Sequence, residues 1–227
     1  MFWQRLPRVA GVPYRSLVTS LDLIGWTAVA LGITLGLPQL VRLWRTRNVD
    51  GLSLLAWRTM LAVNIAWTVH GVRIEQVPII VVNVFGLVTT VPILLLLARE
   101  LRRRLLPTLM VPIAVATVMI VVDLTLGSAA YGAIATVLGI AVNLGQSVEL
   151  VRASHVEGVS AATMVMNTVC QGLWLVFAWT IHDPGAMMTS SAVGLLTAFN
   201  ITWYVLRRRG LRAFFAHDTR GAALVGA

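Results

Sequence analysis

PQLVRLWRTRNVDGLS, residues 38–53, closes one apolar stretch, crosses a short charged loop and opens the next. It recurs 107 residues later as GQSVELVRASHVEGVS, residues 145–160. Gln39/Gln146, Val41/Val148, Leu43/Leu150, Arg45/Arg152, Val49/Val156, Gly51/Gly158 and Ser53/Ser160 stand in register. The same offset pairs Gly25/Gly132, Ala28/Ala135, Leu31/Leu138, Gly32/Gly139 and Ile33/Ile140 upstream, and Trp67/Trp174 downstream. A fixed offset over this length marks a duplicated structural unit.

Composition places the unit in a bilayer. Of 227 residues, 58% are hydrophobic and 12% charged, more apolar surface than a soluble domain of ordinary composition carries. A helix crosses the hydrocarbon core with roughly 20 apolar residues, and backbone groups in lipid must be satisfied within the segment, which selects helices here. The formal charge of +9 does not point to nucleic acid, because the arginines sit at the ends of apolar segments. All 18 basic residues are arginine, so a retinal Schiff base on lysine is excluded. The single cysteine, Cys170, has no disulfide partner in the chain and reads as a small packing residue.

The fold class expected is all-α: seven transmembrane helices, as two parallel three-helix repeats joined by a linker helix. Residues 1–20 form an extracytoplasmic N-terminal segment and 21–98 the first repeat, with spans near 21–44, 54–72 and 77–98. Residues 99–127 hold a basic loop and the linker helix, near 105–126. The second repeat is 128–206, with spans near 128–151, 161–181 and 186–206, and 207–227 is a basic tail. Three helices leave the two ends of a unit on opposite faces, so a directly joined copy would be inverted; the fourth helix restores the orientation.

Orientation follows from arginines near helix ends. One face holds Arg42, Arg45, Arg47, Arg58, the four arginines of 99–104, Arg152, Arg207, Arg208, Arg209, Arg212 and Arg220; the other holds Arg5, Arg8, Arg15 and Arg73. The expectation is a multi-pass protein of the plasma (inner) membrane with its N-terminus outside, its C-terminus cytoplasmic, and a tail resting on anionic lipid.

Polar residues inside the spans, Asn64, Asn83, Asn143, Asn167, Gln171, Ser190, Ser191 and Asn200, should face the bundle interior, because they are costly in hydrocarbon. Each alone reads equally well as a tie between helices. As a set around two matching indoles, Trp67 and Trp174, they suit a neutral, hydroxyl-rich solute. Pro38 removes a backbone donor near the end of the first helix, and Gln39 can satisfy the carbonyl left free, which makes the pair a candidate hinge; Gly145 and Gln146 are their counterparts. His70, Asp22, Asp123 and Asp183 fall near outer ends, where a lone histidine reads as interfacial, and Glu149 lies near an inner end. No nucleophile–histidine–carboxylate arrangement, metal-ligand spacing or phosphate loop is present, so neither an enzyme, a metal nor a cofactor is expected.

With these residues in view, PQLVRLWRTRNVDGLS resembles the PQ-loop signature, and the three-plus-one-plus-three duplication resembles the SWEET sugar facilitators and their half-size bacterial relatives, the SemiSWEETs. The resemblance covers about residues 20–206. It implies alternating access without ion coupling, a sugar site between the two units, and gating by tilting about the proline region. It also implies that a tryptophan on the second helix and an asparagine on the third line the site, here Trp67 and Asn83. In the second unit Trp174 is present, but aligning Gly86 with Gly194 sets Ser191 opposite Asn83, with Ser190 adjacent; Gly145 departs from the motif's proline.

The function expected is a bacterial inner-membrane facilitator passing a small neutral solute, with a mono- or disaccharide as the first candidate and Trp67, Asn83, Trp174, Ser190, Ser191, Asn64 and Asn167 as substrate-binding residues. Its partners are that solute and membrane lipid, with no nucleic acid, and a homo-oligomer is not required for the pathway. The alternatives are a proton-coupled PQ-loop amino-acid carrier, for which Asp50, Glu157 and Glu149 are the acids near the loops, and a non-transporting membrane scaffold or receptor acting through the tail.

Overall fold

The computed structural model describes residues 14–46, 52–152 and 160–214, with the side chains of 23–37 and 40–46 in the first helix. Most of both copied loops, with Asp50 and Glu157, lies outside the described residues, as do residues 1–13, 215–227 and the side chains of Asp22, Pro38 and Gln39.

Seven helices run α1 (Tyr14–Thr46), α2 (Leu54–Arg73), α3 (Val77–Glu100), α4 (Leu105–Leu126), α5 (Ser128–Arg152), α6 (Ala161–Thr180) and α7 (Pro184–Arg208), and no strand occurs among the described residues. Five are long and apolar enough to cross a membrane: the Leu23–Thr46 portion of α1, α3, α4, α5 and α6. The other two are of similar length but more polar. Helix α2 carries Arg58, His70 and Arg73, and α7 carries Thr189, Ser190, Ser191, Thr197 and Asn200. Helix α1 continues through position 38 to Thr46, so the first copy of the repeated stretch begins inside a helix rather than after one.

The duplication is visible in local geometry as well as in residue identities. Ser53 caps α2 by accepting from the Ala56 amide at 3.2 Å, and Ser160 caps α6 by accepting from the Thr163 amide at 3.3 Å. Each satisfies one of the amides that a helix start leaves without a carbonyl. The far ends match too: Glu75 and His182 both adopt left-handed φ, at 57° and 55°. Gln76 donates back to Gly71 at 2.9 Å and Asp183 to Ala178 at 3.1 Å, closing the last turns of α2 and α6. Prolines at the first turns of α3 and α7 then start the next helices without losing a bonded amide.

Within each unit the third helix lies between the other two: α3 packs on α1 and α2, and α7 on α5 and α6. Between units α1 meets α6 and α2 meets α5. These six contacts close a ring, α1–α6–α7–α5–α2–α3, which maps onto itself when the units are exchanged. Helix α4 stands outside the ring against α2, α5 and α3. The core at its seam joins Ala62 and Ala66 of α2, Ala116 and Met119 of α4, and Tyr131 and Ala135 of α5. Small residues let these backbones approach, which matters in lipid because apolar side chains gain nothing there by leaving water.

The tightest approach in the second unit is between Gly132 of α5 and Gly185 of α7, where a methyl built on Gly132 would collide with the Gly185 backbone. Around Gly145 nothing lies within 4 Å of such a methyl. Gly132→Ala is therefore expected to lower stability in detergent by about 1–3 kcal/mol, as overpacking does. Gly145→Ala is expected to be neutral or slightly stabilising, by less than about 1 kcal/mol. Thermal unfolding of the two purified variants checks both.

Candidate functional site

Trp67, Asn83 and Trp174 occupy one level of the ring. Trp67 stands six residues before the end of α2, Trp174 six before the end of α6, and Asn83 six after the start of α3. Ser190 and Ser191 stand six and seven after the start of α7. At about 1.5 Å per residue each is roughly 9 Å inside the end of the bundle that carries few arginines.

Each indole is carried by a helix that meets the other unit. Trp67 packs on the α2–α4–α5 core and meets Tyr131 of α5 edge-on, with centroids 5.0 Å apart. Trp174 meets Phe177 edge-on at 5.8 Å, and a methyl on Gly25 of α1 would press against the Phe177 ring. Cys170, one turn before Trp174, donates to the Ala28 carbonyl of α1 at 3.7 Å, so the free cysteine is part of the α1–α6 contact. Residues 170, 174 and 177 lie on one face of α6, as 63, 67 and 70 do on α2.

The amides divide by role. Asn83 is half-buried and donates to the Ile79 carbonyl one turn earlier at 2.8 Å, which leaves its carbonyl oxygen without a partner among the described residues. Asn143 does the same to Gly139 at 2.9 Å. Asn64 is buried against Gly86 and donates to Thr90 Oγ1 at 3.2 Å, which makes it a tie between α2 and α3. Ser190 is buried, whereas Ser191 and Asn167 are half-buried. Gly145 is exposed and Gln146 half-buried, both inside an unbroken α5. Asn200 is buried with neither amide atom hydrogen-bonded. A groove of about 290 Å³ lined by Trp44, Pro92, Leu95 and Leu96 opens between α1 and α3, in the arginine-rich half and away from the indoles.

Directly above Trp67 lies a group of charges that the sequence reading left scattered. His70 is not interfacial: it is 0% exposed, with Nδ1 2.8 Å from Asp123 Oδ2 and Nε2 3.1 Å from Asp183 Oδ2. Asp123 and Asp183, near helix ends as expected, are 3% and 5% exposed. Arg73 grips Asp123 with two bonds, Nε to Oδ2 at 2.8 Å and Nη2 to Oδ1 at 2.7 Å. Asp183 also accepts from the Ser128 hydroxyl and, at 2.9 Å, from the Ala186 amide. The Tyr131 ring stacks on His70 at 4.6 Å and 8°, and Trp67 meets the imidazole edge-on at 5.2 Å.

With His70 protonated, two cations and two carboxylates balance, which is the condition for burying such groups. Burial alone would lift the Asp183 carboxyl; the bonds from His70, Ser128 and Ala186 outweigh it and hold the group below the ordinary carboxylate range. The signal for this cluster was the topology. The alternation of seven helices sends residues 70, 73, 123, 128 and 183 to the same end of the bundle.

The comparisons with known proteins agree with this architecture. The family model of the PQ loop repeat matches residues 21–73. A eukaryotic SWEET transporter solved at 3.7 Å superposes with a TM-score of 0.67 at 13% identity, over 84% of this chain and 99% of that one. No curated protein matches by sequence.

The charge balance makes each carboxylate costly to remove. Asp123→Ala leaves His70 unmatched on one side and is expected to cost about 3–5 kcal/mol, the usual loss when one partner of a buried pair is deleted. Asp123→Asn, which keeps the shape, should cost less. Thermal unfolding in detergent compares them.

Proposed function

We propose, for a chain that carries a PQ-loop repeat on the fold of a SWEET transporter, that it is a membrane facilitator moving a small neutral solute by alternating access, with a mono- or disaccharide as the first candidate. One observation carries the reading: two symmetry-related indoles, an asparagine and two serines lie at the same depth in a six-helix ring, the indoles on the helices that meet across its halves. Indole faces stack against sugar rings, and neutral amides and hydroxyls exchange hydrogen bonds with sugar hydroxyls without a charge to be matched.

Trp67, Asn83, Trp174, Ser190 and Ser191 then contact solute, with Asn167 one to two turns deeper along α6. Asn64 acts through α2 and α3, holding the helices that present Trp67 and Asn83. By the positive-inside rule the arginine-rich end, with the C-terminus, faces the cytoplasm of a bacterial cell and the N-terminus faces out. The cross-unit interactions named above gather at the arginine-poor end, which supports reading this conformer as closed to the outside. Opening requires the two units to tilt, and positions 38–39 and 145–146 are the proposed hinges. Helix α5 lacks the proline, so the halves hinge unequally. One chain encloses the whole ring, so a monomer suffices.

The buried His70 cluster favours a second reading, a proton-coupled carrier of amino acids, because ionisable groups inside a bundle are the usual material of proton relays. Flux in proteoliposomes with labelled sugars and amino acids separates the two. Facilitated flux should follow the solute gradient alone and survive a protonophore, whereas coupled uptake should collapse.

Trp67→Ala, Asn83→Ala and Trp174→Ala are each expected to reduce flux at least tenfold, since losing a stacked or hydrogen-bonded contact is worth on the order of 1.4 kcal/mol or more. Membrane insertion and elution on size exclusion should be unchanged. Wild-type flux in all three would overturn the site.

A further inference from the structure

The charged groups around His70 fall into two sets that belong to different halves of the molecule. Asp123 of α4 and Arg73 of α2 form one set, joined by two hydrogen bonds of 2.8 and 2.7 Å. Asp183 forms the other, held by the Ser128 hydroxyl of α5 and the Ala186 amide of α7, with the Gly185 amide donating to Ser128 at 3.1 Å. The imidazole of α2 connects the sets, with Nδ1 toward Asp123 and Nε2 toward Asp183. A neutral imidazole has one donor nitrogen and one acceptor nitrogen; only the imidazolium donates to two carboxylates. With both carboxylates ionised, the geometry on both sides of the ring is that of the charged form.

We propose that His70 is a proton switch: doubly protonated, it latches the first unit to the second at the outer end, and loss of the proton facing Asp183 releases the second unit. The proton leaves Nε2 for water, which is near because the Arg73 side chain is 33% exposed. The Nε2 lone pair then faces the Asp183 carboxylate, so the link across the halves becomes repulsive. The bond from Nδ1 to Asp123 remains, and α4 stays with the first unit. Asp183 keeps the hydroxyl and amide of its own unit and departs with it. Tyr131, stacked on the ring from α5, also loses the attraction of its face for a cation.

The other groups facing the imidazole do not reverse this. Arg73 Nη2, 3.5 Å from Nδ1, is engaged with Asp123, and it is permanently charged. Helix α3 presents Ile79 and Ile80 to α2 beside Gly71 and has no ionisable side chain before Arg99. Glu75, in the following turn, is exposed. Histidine titrates in the range that separates an acidic exterior from a neutral one, so acid outside should hold the outer end shut.

The switch rests on the transporter reading for its place outside the membrane, and its test does not need flux. Spin labels on Val72→Cys and Met188→Cys, exposed positions on α2 and α7, in a Cys170→Ser background report the distance between the units. In purified full-length protein the short-distance population should dominate at about pH 5.5 and give way to a longer one by about pH 8.5, falling by at most about tenfold per pH unit, the limit for one proton. His70→Gln and Asp183→Asn, which keep shape and hydrogen-bonding capacity, should abolish the pH dependence. A wild-type distance that does not change with pH, or a change that persists in both variants, would overturn the proposal. If distances shift as expected while no solute moves in proteoliposomes, the transport reading fails and the switch stands. If solute moves and the distances stay fixed, the switch alone fails.

Discussion

A cation buried between helices must be matched, and His70 in its protonated form is matched twice, by Asp123 from the linker helix and Asp183 from the second unit. The arrangement joins three parts of the chain: the first unit, the linker helix and the second unit. Its cost is the desolvation of four charged groups. That cost is offset only because each carboxylate has several donors: Asp123 has the two from Arg73 as well as the ring, and Asp183 has a hydroxyl and a backbone amide. Remove one charged member and the rest are left with excess charge. In the proposed switch this makes that end of the bundle both closed and sensitive to a single proton.

The remainder of the ring is built with weaker, repeated contacts. Small residues bring α2, α4 and α5 together, glycines bring α5 to α7, and each unit starts its second helix on a serine cap. None of these involves a charge, so they can shift as the units tilt without exposing an unmatched group. The indoles share both environments. Trp67 touches the uncharged core on one side and the His70 ring on the other, so the level at which solute is proposed to bind is in contact with the latch.

Linker helix α4 has two roles in this picture. It carries the chain back across the bilayer so that the second unit enters with the same orientation as the first. It also delivers Asp123, which in the proposed switch remains with the first unit in either protonation state. The pseudo-symmetry is therefore broken at the charged cluster, where the chain position equivalent to His70 in the second unit is Phe177, packed on Gly25 without charge.

How much of this was legible in the sequence divides along a physical line. Local chemistry with a fixed offset was readable: the duplication, seven helical segments, the linker's place outside the repeat, and the matched tryptophans follow from apolar length, spacing and residue identity alone. Ser53 and Ser160 were visible as matched residues, though their capping role needed the helix starts to be seen. The order of packing was not readable, because apolar helices in lipid have no polar face to declare which neighbour they meet. For that reason nothing in the sequence announced that Asn64 would lie against Gly86 and Thr90, and His70 read as interfacial until Asp123 and Asp183, 53 and 113 residues away, closed on its two nitrogens. The sequence by itself determined which segments form helices and that they come in two copies. Only the tertiary structure decided which polar groups meet, because a buried charge is defined by partners that arrive from other helices.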